Sequence, residues 1–455
     1  MTSGPLLIVL LLLAIAFIIY GTAGLKMHPF IVLLVTSYGL GLLGGLSPTD
    51  TITAITDGFG GTLGYIGIVI AAGTIIGAIL ERSGGAMVMA RTVTRWIGQA
   101  RSALAMSLTG AVVSIPVFCD SGYVILSPLA RSLARETGQS MATFAVALSM
   151  GLYATHVFVP PTPGPIAAAG ELGADIGTVI LLGIASVIPV IAVTYLFARY
   201  MGDRIYIDPE LSAPAELDKE KTKEHRPVEE PAAWQAFAPV LVPVVLIALN
   251  SIANLPGRPL GEGSLLTGLN FLGDPNTALL LGVFLAFGIV AERGETVFSD
   301  WVGAGLREAG IIILITGAGG ALGSVLQATP VGDYLGESLA GLELGTFNVL
   351  LPFIIAGALK TTLGSSTVAI ITTASLLHPL LGSMGLAEGF GPVFVTLAIG
   401  AGAMTVSHAN DSYFWVVAEF SGMDVDQAYQ LQTVGSAVAG VTGIVTVFVL
   451  SLVFI

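Results

Sequence analysis

The sequence predicts an all-α polytopic membrane protein built from two inverted-topology repeats, each with a re-entrant hairpin and a broken transmembrane helix. Three observations predict it. Of the 455 residues, 54% are hydrophobic and only 10% are charged, less charge than a water-soluble surface requires. Gly73-Thr-Ile-Ile-Gly77-Ala-Ile-Leu80 and Gly319-Gly-Ala-Leu-Gly323-Ser-Val-Leu326 open two stretches that correspond at a shift of 246 residues. That shift sets Ser366 and Thr367 opposite Asp120 and Ser121, and six further residues bring His408 opposite His156. Polar, interrupted segments at corresponding places in two apolar halves point to the binding site of a transporter.

In chain order, apolar runs predict spans at about 5–24, 28–46, 60–80, 140–170, 176–200, 235–255, 276–294, 309–328, 391–420 and 432–454. Runs near twenty residues cross a hydrocarbon core of about 30 Å as helices. Two regions, about 103–135 and 347–385, are instead interrupted by Cys119-Asp120-Ser121-Gly122 and by Thr361-Thr362-Leu363-Gly364-Ser365-Ser366-Thr367. Their arms are short for a full crossing, so they read as hairpins, giving about ten full spans plus two hairpins. Glu81–Arg101, rich in Arg, reads as an amphipathic helix at the membrane surface that anchors the first hairpin. Asp203–Glu230, with nine acids and five bases, reads as a flexible linker between the halves. The units are then 1–57 (N-terminal helices), 58–202 (first repeat), 203–233 (linker), 234–296 (connecting helices) and 297–455 (second repeat).

Lys and Arg accumulate in short cytoplasmic loops. Arg82, Arg91, Arg95 and Arg101, then Arg131 and Arg135, the linker, and Arg293 with Arg307 all fall on one side of the predicted spans. The opposite loops, Glu171–Asp175, Gln327–Thr346 and Leu381–Gly389, hold neither residue. Both termini are therefore expected on the outer side, and the two hairpins open toward opposite faces. The amino terminus has no basic region of a cleaved leader, so the first apolar run reads as a retained helix. A net charge of −13, much of it in aqueous loops, gives no reason to expect a nucleic-acid partner. The single cysteine, Cys119, excludes an intrachain disulfide, and no Cys/His spacing resembles a metal site. Neither a metal nor a cofactor is expected.

Four segments carry the chemistry, around Asp120, His156, Ser366 and His408. A hairpin tip rich in Gly, Ser and Thr presents backbone N–H groups at the start of its returning half-helix, where the dipole attracts a carboxylate. Ser121, Gly122, Gly364, Ser365, Ser366 and Thr367 are the candidate anion-binding residues on the two tips. Four prolines within Pro160–Pro165 interrupt the first broken helix, and His156, Thr162, His408 and Asn410 are the candidates facing substrate hydroxyls. Asp120 and Asp411 are the candidate proton carriers, being carboxylates at membrane depth. Asp120 has a plainer reading as a helix cap. Lys360 either partners the anion or reaches for the interface. The histidines read equally well as structural groups bonded to freed carbonyls.

At Ile115–Val124, His156–Pro165, Gly364–Ala369 and Ser407–Trp415, in this order, the chain resembles the gluconate:proton symporter family, within the ion transporter superfamily. The resemblance implies proton-driven uptake of gluconate or a related sugar acid across the bacterial inner membrane, by a homodimer moving in an elevator fashion. Sodium-coupled members of the superfamily carry Ser-Asn-Thr at the tips, whereas this chain has Asp120-Ser121-Gly122 and Ser365-Ser366-Thr367, which suits protons. The alternatives are a sodium-coupled carboxylate carrier or a cation/proton antiporter. From other classes come a channel and an intramembrane hydrolase, and no short motif sets up the nucleophile and base that a hydrolase needs.

Overall fold

The computed structural model describes residues 4–98, 101–210, 230–255, 259–290, 295–330 and 345–454. Among the described residues there is no strand. The first-half helices are α1 (Gly4–Ile19), α2 (Pro29–Gly44), α3 (Pro48–Ser83), α4 (Gly85–Ile97), α5 (Ser102–Val113), α6 (Cys119–Thr137), α7 (Met141–Phe158), α8 (Pro163–Leu172) and α9 (Ile176–Gly202). Then follow α10 (Ala233–Ala253), α11 (Ser264–Leu272), α12 (Pro275–Val290), α13 (Glu295–Ala328), α14 (Leu350–Leu363) and α15 (Ser366–Leu377). The chain closes with α16 (Gly391–Met404), α17 (Ser412–Ser421), the single turn α18 (Val425–Ala428) and α19 (Val434–Phe454). Most of the expected linker, and most of the expected loop Gln327–Thr346, lie outside the described residues.

Six helices, counting the broken α7–α8 and the continuous α18–α19 as one each, are long and apolar enough to cross a membrane. Of the other four expected spans, the first is matched by α1, which continues through a π-helical turn, Tyr20–Gly24, and the remaining three are apolar but short or bent. α2 has 16 residues, about 24 Å at 1.5 Å per residue. α11 and α12 meet at 65°. α16 and α17 are separated by the break at 405–411. α5, with 12 residues, spans about 18 Å and falls well short of a hydrocarbon core. Together these features make the chain a multi-pass membrane protein.

Two long helices extend beyond their expected ends. α3 starts at Pro48, not near 60, because Ser47 accepts a hydrogen bond from the Asp50 N–H and Pro48 fits the first helical position. The expected unit boundary at 57/58 therefore falls inside α3. Likewise α13 begins at Glu295 and takes in the expected boundary at 296/297. The helix expected at the membrane surface corresponds to α4, shorter than Glu81–Arg101. Its Ala86, Met89, Ala90 and Val93 are buried at helical spacing, and Arg91 pairs with Glu230 at 2.7 Å on its outer face.

The glycines on which the expected repeat was aligned are seats for close approach. Added to Gly77, a Cβ would collide with the carbonyl of Pro116, in the break between α5 and α6, and at Gly73 it would lie 3.0 Å from the carbonyl of Pro161. The corresponding Gly319 and Gly323 seat Ser375 of α15 and Glu171 of α8. α3 and α13 themselves cross where Gly58 meets Gly320, the kind of small-residue contact that lets membrane helices pack closely. Gly77→Ala is expected to destabilise the protein by about 1–3 kcal/mol through overpacking, read as a lower thermal unfolding midpoint in detergent. Gly67→Ala, on the same helix and facing open space, is the matched control and is expected to unfold no earlier than the parent chain. Equal losses in the two variants would rule out the seating role.

Candidate functional site

Each half interrupts its helices twice, and the four breaks meet. In the first, α5 ends at Val113 and α6 starts at Cys119, with Pro116 between them. Asp120 lies in the first turn of α6, where a negative charge is favoured by the dipole. It does not cap that helix: the N-cap is Phe118, with no side-chain capping bond. Its carboxylate instead accepts from the Ser412 hydroxyl at 3.3 Å and has the Cys119 thiol at 3.7 Å. Gly122 faces the Leu152 side chain, whose terminal methyl would have to move to admit a Cβ there.

The second break separates α7 from α8 at Val159–Thr162. Thr162 donates to the Val159 carbonyl at 2.7 Å, using one acceptor that the missing helical turn releases. His156 is 4% exposed. Its ring lies 5.8 Å from that of Phe118, and its Nδ1 has no hydrogen-bond partner among the described residues. One turn earlier, Tyr153 donates to the Ala403 carbonyl at 3.2 Å and shares a 2.7 Å hydrogen bond with Ser366. This tyrosine ties the first broken helix to the tip in the other half.

At that tip, Gly364 ends α14 with φ +72°, a conformation that glycine adopts without strain. A Cβ there would run into the carbonyl of Asn410. Ser365 caps α15 by accepting from the Val368 N–H at 3.4 Å. Ser366 and Thr367 occupy its first turn, Ser366 buried and Thr367 half-buried.

In the fourth break, 405–411, Val406 has φ +59°, strained for a β-branched residue. His408 Nε2 and the Asn410 amide both reach the Thr361 carbonyl, at 3.2 and 2.7 Å. Asp411 caps α17, accepting from the Tyr413 N–H at 3.2 Å. It also accepts from the Ser407 hydroxyl. The Lys360 ammonium lies 2.6 Å from its Oδ2, and the lysine side chain is 0% exposed. Lys360 therefore does not reach for an interface, and its partner here is Asp411 rather than a bound anion.

All the candidate residues thus converge on one junction, although with unequal access. Asn410, Ser412 and Thr361 are exposed, Asp120, Ser121, Ser365, Thr367 and His408 half-buried, and His156 and Thr162 buried. Between α3 and the first two breaks the free space is a cleft of about 10 Å³, lined in part by Thr74, Phe118 and Thr162, room for about one water. A wider cleft of about 210 Å³ lies between α3, α8 and α13, with Asp57, Thr62, Tyr65, Glu171, Gln327 and His378 on its walls. Thr62 donates to Glu171 at 3.2 Å, and His378 lies 3.7 Å from the same carboxylate.

Sequence reasoning missed the roles of Tyr153, Ser412 and Ser407. Tyr153 was accessible through its spacing, three residues before His156 and so on the same helix face. Ser407 and Ser412 stand inside a noted cluster, but their partners lie in other elements and no local pattern names them.

A family model described as GntP family permease matches residues 6–453. The gluconate permease of Pseudomonas aeruginosa is 34% identical over 94% of this chain and 94% of that protein. The D-serine transporter DsdX of an Escherichia coli O6:H1 strain is 32% identical over 97% of each. Among solved structures, the YdaH transporter of Alcanivorax borkumensis superposes with a TM-score of 0.65 at 17% identity, covering 93% of this chain and 98% of that one. At that identity the likeness concerns the fold.

Proposed function

Because the chain belongs to the GntP permease family, we propose that it takes up gluconate or a related sugar acid across the inner membrane together with protons. It is a permease and not an enzyme. The observation that carries the reading is the convergence of both tips with both broken helices. Asp120 meets Ser412, Ser366 meets Tyr153, and Lys360 meets Asp411. Each contact joins a tip to a broken helix, and two of the three cross between the halves of the chain. A binding site built this way changes shape whenever one element shifts against another, as alternating access requires.

The substrate carboxylate meets the N–H and hydroxyl groups of the tips, at Ser121, Gly122 and Gly364–Thr367. Its hydroxyls meet His156, Thr162, His408 and Asn410, and Asp120 carries the proton. His156, buried with an unpartnered Nδ1, supports this assignment, since a buried polar atom without a partner is costly unless a ligand supplies one. The cleft of about 10 Å³ between α3 and the first two breaks has room for about one water, so a sugar acid entering there would have to part those elements. The two halves act as inverted repeats and move as an elevator within a homodimer, both termini facing outward. The 210 Å³ cleft at the far end of α8 is the approach from that side.

Counterflow in proteoliposomes with labelled gluconate, other sugar acids, citrate and D-serine tests the substrate. Gluconate or another sugar acid is expected to exchange, and an imposed pH gradient without sodium is expected to drive its accumulation. Exchange of D-serine alone, the substrate named for one relative, would replace the sugar-acid reading and leave the fold intact. Accumulation that requires sodium would remove proton coupling.

A further inference from the structure

The charges at the junction can be counted, and the count deepens the proton-coupled reading on which it rests. Around Asp120, α6 contributes Cys119, α7 contributes Tyr153 and His156, α14 contributes Lys360, and the break before α17 with its first turn contributes His408, Asp411 and Tyr413. Lys360 and Asp411 lie 2.6 Å apart, the lysine fully enclosed. Wherever their shared proton resides, the pair sums to zero. Asp120 interacts at longer range with both members of the pair. Its direct neighbours, however, are a hydroxyl and a thiol, and no cation stands within ion-pair distance of it among the described residues.

We infer that Lys360 is a built-in counter-charge that fixes the coupling at one proton per monoanionic substrate. With Asp411 offset, the substrate-free junction carries one net negative charge, that of Asp120. A carboxylate arriving alone would raise this to two, and uncompensated charge at membrane depth is strongly disfavoured. A carboxylate arriving with one proton, bound to an Asp120 oxygen, leaves the total at one. The substrate-free and loaded forms then cross in opposite directions with the same charge, so the completed cycle moves no net charge and the accumulation reached does not depend on the membrane potential. The proton leaves Asp120 on the inner side as the anion departs, and the whole cycle moves one proton and one anion. By linkage, the proton favours the anion by the same factor as the anion favours the proton.

The prediction is tested on the unaltered protein, reconstituted in proteoliposomes with gluconate. Proton uptake and labelled gluconate uptake are measured together, at a fixed pH gradient, with the potential clamped by potassium and valinomycin. The expected results are a flux ratio of one, accumulation that does not change with potential, and a limiting slope of one in log apparent affinity against pH. A ratio of two with accumulation that rises as the interior becomes negative would overturn the counter-charge. It would mean that His156, His408 or Asp411 takes up a second proton. No proton flux at all, with gluconate still moving, would overturn the proton-coupled reading itself. The paired variant Lys360→Met with Asp411→Asn removes both charges and leaves the count unchanged. It is expected to keep the ratio of one at a reduced rate, whereas gluconate flux without protons in this variant would show that the pair itself carries the proton.

Discussion

An Asp120→Asn carrier is expected to exchange labelled substrate in counterflow and to lose accumulation driven by a pH gradient. A gradient of two pH units stores about 2.7 kcal/mol per proton, which supports about a hundredfold accumulation at one proton per substrate. The variant is expected to reach a ratio near one. Asn has nearly the same shape and can still accept from the Ser412 hydroxyl, which lies 3.3 Å from the native carboxylate, so the charge and its titration are removed while the contact is kept. Helix capping cannot explain such a loss, because Phe118 and not Asp120 occupies the N-cap of α6. The variant also leaves the neutral Lys360–Asp411 pair alone at the junction, so its substrate flux should become sensitive to membrane potential. A variant that still concentrates substrate a hundredfold would eliminate Asp120 as the proton carrier.

The second large effect is expected at Lys360. Removing one member of a buried ion pair strands the other, at a cost of about 3–5 kcal/mol, whereas replacing both with neutral groups is often tolerated. Lys360→Met leaves the Asp411 carboxylate with only Ser407 and the Tyr413 N–H as donors. It also removes the tie between the second tip and the second broken helix. The thermal unfolding midpoint should fall, and substrate exchange should fall with it. Adding Asp411→Asn should recover most of the stability, the mark of a charge imbalance rather than of lost packing. If the double variant is less stable than Lys360→Met, the pair is not the source of the effect.

Much of the site was legible because membrane burial makes polar residues conspicuous. Asp120, Lys360, His156 and Asp411 stand out against apolar neighbours, and the shift of 246 residues pairs the first tip with the second. The breaks were legible through proline and glycine, which end helices for local steric reasons. Ends of long helices were less so. α3 runs from Pro48 through a stretch of Thr, Gly and Asp that no apolar window identifies. The short spans misled in the opposite direction, since an apolar run records its contact with lipid or protein interior and not its length as a helix.

The sequence by itself determined the membrane class, the places where helices break and the inventory of ionisable groups, because each follows from local composition or chain geometry. The tertiary structure decided which groups face one another. Lys360 and Asp411 are 51 residues apart in sequence, from 360 to 411, and 2.6 Å apart in space. Asp120 and Ser412 meet across the two halves of the chain, as do Tyr153 and Ser366. Pairing of this kind depends on how the helices pack, which no local pattern encodes. It is also what gives the proposed count its basis, with Asp411 paired to Lys360 and Asp120 beside a hydroxyl and a thiol.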